Sequence, residues 1–89
     1  MNEDKITWDS ATQDKFHKIL EQIPELIRGI AEIRVRKKAE ELVRTDNRSE
    51  ITEKDMVDAL FKETPPGFVP AMKSGLDEVG IDYKKYNYA

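Results

Sequence analysis

Apolar residues recur along much of this chain at three- and four-residue steps, the period of helices packed on one side. Trp8, Ala11 or Thr12, Phe16, Ile19, Leu20 and Ile23 form one such stripe, with Asp14 and Lys18 facing water as an i,i+4 pair. Asp9 stands where a side chain accepts from the unpaired N–H groups of a helix start, so a helix is predicted from Asp9 to about Glu21, with Trp8 folded down onto the core. Pro24 suits the first position of a second helix, because its missing N–H costs nothing there, and that helix is predicted to run to about Asp46 or Asn47. Leu26, Ile27, Ile30, Ala31, Ile33, Val35, Ala39, Leu42 and Val43 give it a broad apolar face suited to the centre of a bundle, supported by the pairs Glu32/Arg36 and Glu40/Arg44.

A turn-rich connector, Thr45 to Ser49, leads to the sharpest local signal in the chain. Thr52 reads as an N-cap, Asp55 reaches back from three residues on as in a capping box, and Ile51 packs on Met56 as a hydrophobic staple. The third helix directs Met56, Val57, Leu60 and Phe61 inward and stops near Glu63. Thr64 to Gly67 is predicted irregular, since two prolines do not continue a helix. Pro70 to about Val79 then makes a short fourth helix, with Met72 and Leu76 inward, Gly80 as its stop and Ile81 against the core; a tyrosine-containing tail follows. The predicted fold class is therefore all-α: a small three-helix domain over residues 1–63, with a Pro-rich extension, short fourth helix and tail over residues 64–89 packed on or flanking it.

Composition narrows the function. Eighty-nine residues hold one core, and 38% hydrophobic with 37% charged residues reads as soluble and globular. The longest uncharged stretch, Thr64 to Met72, contains three prolines and a glycine, so no membrane span is expected, and the acidic start Met1–Lys5 is unlike a secretory leader; a cytoplasmic or stromal protein is the expectation. With no cysteine, the chain supplies no disulfide, thiolate nucleophile or iron–sulfur ligand. A net charge of −3 and a pI near 5.2 disfavour general nucleic-acid binding.

Few residues carry candidate chemistry. His17, the only histidine, lies on a helix beside Phe16 and defines neither a triad nor a metal site, and the carboxylate pairs Asp55/Asp58 and Glu40/Glu41 read as solvated helix surface. No catalytic residue, cofactor or metal is therefore expected, and the chain reads as non-enzymatic. Arg34, Arg36, Lys37 and Lys38, with Arg28, are the candidate strip for an anion or an acidic partner, although consecutive positions spread around a helix at about 100° per residue. Gly29, inside the second helix, marks either close helix contact or the approach of a ligand. The Thr64–Pro70 segment reads as a strap across the core, or as a segment that docks in a groove.

The succession Trp8, Ala11, Ile23-Pro24, Ile27-Arg28, Ala39, then Ile51-Thr52 with an acidic helix start and Ala59, resembles the C-terminal helical domain of the B subunit of light-independent protochlorophyllide reductase, in its free-standing form. The resemblance covers residues 8 to about 61. It implies a helical accessory module of chlorophyll biosynthesis with a tetrapyrrole or a reductase subunit as partner, bound through Arg28, Arg34, Arg36, Lys37 and Lys38, while Trp8, Pro24, Thr52 and Asp55 are structural. The parent enzyme's activity does not carry over, because its cluster ligands are missing here. A second stretch, the long middle helix, a loop with Arg48 and the Ile51-Thr52 and Asp55 helix start, is similar to the histone fold and implies a protein- or DNA-interaction module. Histone-like wrapping needs a basic dimer, and this chain is net acidic, so nucleic acid is the lesser partner.

Overall fold

The computed structural model of the protein describes residues 5–89; of the acidic start Met1–Lys5, read above as unlike a leader, Met1–Asp4 lie outside them. Among the described residues the order is β1 (Thr7–Trp8), α1 (Ser10–Glu21), α2 (Glu25–Thr45), β2 (Glu50–Ile51), α3 (Glu53–Glu63), a 3-10 turn (Pro66–Phe68), α4 (Val69–Glu78) and a second 3-10 turn (Tyr83–Tyr86). The protein is a small all-α domain, and none of these helices is long and apolar enough to cross a membrane.

Local chemistry accounts for most boundaries. The Asp9 carboxylate accepts from the Thr12 N–H at 3.0 Å and its hydroxyl at 2.8 Å, which starts α1. Thr12 is the buried member of the Ala11/Thr12 alternative. Pro24 stands one position earlier than predicted: its ψ of 137° is extended, so Glu25 opens α2 and Pro24 caps it, with its carbonyl accepting from the Ile27 N–H at 3.1 Å. The Pro-rich segment is more regular than predicted, since Pro66–Phe68 close a single 3-10 turn. Gly80, at φ +76°, turns the chain out of α4 so that Ile81 is buried.

One core joins the four helices and the C-terminal extension. Phe16, Ile19 and Leu20 of α1, Val35, Ala39 and Val43 of α2, Ile51, and Met56, Val57, Ala59 and Leu60 of α3 meet Leu76, Ile81 and Tyr83 from the C-terminal extension. The two-residue strands pair in parallel, Thr7 with Glu50 and Trp8 with Ile51, clamping the chain start to the α2–α3 connector. Two residues are too few to show an alternating pattern, which is why this bridge is not legible in the sequence. It sets the Trp8 ring on Phe16 with centroids 4.9 Å apart, and Trp8 Nε1 is buried without a partner among the described residues.

The principal correction concerns α2. Of the nine residues read as its core face, only Val35, Ala39 and Val43 are buried; Leu26, Ile27, Ile30 and Ile33 are exposed. At 100° per residue Leu26, Ile30 and Ile33 lie roughly opposite Val35 and Ala39. A 21-residue helix, about 30 Å long, also outruns the 12-residue α1 and the 11-residue α3 packed on its other side.

Candidate functional site

The charged residues gathered most tightly are structural. Thr52 accepts from the Asp55 N–H at 3.4 Å, while the Asp55 carboxylate accepts from the Thr52 N–H and hydroxyl, both at 2.9 Å, completing the predicted capping box. Arg48 donates to the same carboxylate from both terminal nitrogens, at 2.7 and 3.0 Å, and from Nε to Asp46 at 2.9 Å. Burial pushes the Asp55 carboxyl up, but the Arg48 and Thr52 hydrogen bonds outweigh it and hold the group below its ordinary value. With both oxygens engaged, Asp55 fastens the α2–α3 connector to the start of α3.

The other face of α3 holds the tail. Tyr86 donates to Glu53 at 2.7 Å and Tyr88 to Asp58 at 2.6 Å, with the Tyr88 ring stacked on Phe61 at 3.9 Å. Burial, then the hydrogen bond to the carboxylate, pushes each of these phenols up to about 12. Glu53 also meets Lys15 at 3.0 Å and Lys85 at 3.5 Å. Glu40 pairs with Arg44 at 3.9 Å, Glu41 with Lys38, and Asp58 with Lys54 at 2.8 Å, so these carboxylates are engaged with cations, and His17 is exposed on α1.

The five cations of the candidate strip do not form one face. Arg28 folds back on the end of α1, donating to the carbonyls of Ile23 at 3.0 Å and Glu21 at 3.3 Å, and so fixes the α1–α2 corner. Arg36 pairs with Glu32 at 2.6 Å and lies over the Trp8 ring at 5.6 Å, where it packs rather than reaches outward. Lys38 bonds Glu41 at 2.6 Å. Arg34 and Lys37 are exposed, and Arg34 stands on the rim of a groove.

That groove, about 420 Å3, runs between the first half of α2 and the α3–α4 segment. Ile23, Ile27, Ile30, Leu60, Phe68 and Met72 line it, and among the described residues Arg34 and Glu63 are its charged lining residues. Phe68 does not strap the core but stands 59% exposed on the groove wall. On α2, Leu26 is 93% exposed, Ile30 59% and Ile33 61%, and Ile30 also lines the groove with Phe68. Together these residues make one apolar surface that the core does not need. On a helical wheel Leu26, Ile30 and Ile33 fall on the side of α2 away from Val35 and Ala39, so the apolar residues make two faces and not one broad one. Gly29 makes no close contact, since a Cβ built there meets nothing within 4 Å.

No curated protein and no solved structure matches the chain. Its sequence matches, over residues 1–89, the family described as Protein of unknown function (DUF2621), and the chain belongs to that family.

Proposed function

We propose that the protein is a non-catalytic docking module that binds another protein through the first half of α2 and the adjoining Phe68. The observation that carries this reading is the surface formed by Leu26, Ile27, Ile30, Ile33 and Phe68, large side chains left in water beside a core that is complete without them. A contiguous apolar surface rimmed by polar groups marks an interaction site far more often than scattered single residues do. The test is a Leu26→Asp/Ile30→Asp double variant beside the wild type. Both are used to capture partners from extracts of the source cells, followed by direct binding of the purified candidate. A partner held by the wild type and lost by an equally stable variant supports the reading. It fails if the double variant unfolds as a core variant does, or if wild type and variant retain the same proteins and the wild type does not self-associate.

Arg34 carries a second reading. A single cation on the rim of an apolar groove suits an amphipathic carboxylate, the chemistry of the tetrapyrrole that the reductase resemblance implies. A Soret shift on porphyrin titration that disappears in Arg34→Ala supports it, and an unchanged spectrum removes it.

A further inference from the structure

Resting on the docking reading above, we infer that the partner of the outer face of α2 is a second copy of this chain, packed antiparallel about a two-fold axis at Ile30. Leu26, Ile30 and Ile33 follow one another at steps of four and three, the spacing of a helix–helix seam. Because Ile30 stands between the other two, an antiparallel copy sets Leu26 of each chain near Ile33 of its partner and Ile30 against itself. The stripe is thus self-complementary, as an isologous interface requires. Charge follows the same symmetry. Exposed Glu25 opens α2 at the N-terminal end of the stripe, and exposed Arg34 and Lys37 stand at its C-terminal end. Antiparallel packing brings the acidic end to the basic end twice, whereas parallel packing sets Arg34 and Lys37 beside their own counterparts. The helix dipoles favour the same orientation.

The chain has no cysteine, so a single introduced thiol reports on one position. Sedimentation of the full chain over a wide concentration range is combined with cross-linking by a short bifunctional maleimide. The expected result is a dimer that dissociates on dilution. Ile30→Cys cross-links to itself, and Leu26→Cys cross-links to Ile33→Cys faster than either does to itself. Lys37→Glu weakens the dimer roughly tenfold, and Glu25→Lys in the same chain restores it, because each pair occurs twice. A monomer at every concentration overturns the inference, as does Leu26→Cys linking to itself as fast as to Ile33→Cys. If the chain is monomeric and a different protein is still lost by the Leu26→Asp/Ile30→Asp variant, the second copy is excluded while the docking reading stands; if neither association occurs, both fall.

Discussion

The starts of α2 and α3 are opposite solutions to the same problem. At α3, Thr52, Asp55 and Arg48 satisfy the helix end, and Ile51 and Met56 are fully buried beside it. At α2, the Pro24 cap makes no side-chain hydrogen bond, and Leu26, one residue into the helix, is 93% exposed. Among the described residues, Arg28 supplies the side-chain hydrogen bonds at that end, to backbone carbonyls of the α1–α2 corner. Similar apolar content therefore serves stability at one helix start and leaves surface at the other. Apolar residues near a helix end report a core only where a neighbouring element covers them.

The largest test of this contrast compares Asp55→Ala with Leu26→Ala. Losing the cap and the charge-assisted bonds from Arg48 costs about 2–4 kcal/mol, read as a lower urea midpoint with unchanged slope. Leu26→Ala stays within about 0.5 kcal/mol of the wild type in dilute solution. Equal losses at the two positions would erase the distinction.

Acid sharpens it next. Asp55 and Glu53 are each pushed up by burial but held below their ordinary values overall, Asp55 by Arg48 and Thr52, Glu53 by Tyr86 and Lys15. Their contribution is complete above the unfolded values of about 4 and is lost as the pH falls through the depressed folded values. Urea midpoints that fall below about pH 4 in the wild type, with a shallower fall in Asp55→Asn, are the expected outcome. An equally steep fall in that variant would place the sensitivity elsewhere.

On the α2 side, Gly29→Ala raises stability by about 1 kcal/mol, because alanine is the better helix former and the added methyl meets open space. A lower urea midpoint would show that the first half of α2 is constrained in a way its open surroundings do not reveal.

The smallest effect is alkaline. Folded-state values of about 12 for Tyr86 and Tyr88 favour the neutral phenols, so their contribution is complete below about 10 and is lost between there and about 12. Tyrosinate absorbance of the wild type in that window, with an earlier rise in Asp58→Asn, checks the attachment of the tail to α3.

Much of the fold was legible because it is local. Asp9, Thr52 with Asp55, and Gly80 each act on backbone within a few residues, so α1, α3 and the end of α4 fall within a residue of their predicted bounds. The pairs Glu32/Arg36 and Glu40/Arg44 formed as spaced for the same reason. The candidate cations were less legible. Arg28 and Arg36 were read as part of a strip, yet each is engaged by a neighbour whose placement depends on the α1–α2 corner or on β1, while Lys38 is engaged locally by Glu41, three residues on. The Arg48 contact with Asp55 spans a connector whose path no local rule sets, and the Tyr88 contact with Asp58 joins residues 30 positions apart.

By itself the sequence determined an acidic, cysteine-free, all-α chain with these helices and caps, because periodicity and capping are short-range properties of a polypeptide. Only the tertiary structure decided which side of α2 is covered. That depends on where the shorter α1 and α3 come to rest, and it leaves Leu26, Ile30 and Ile33 facing water.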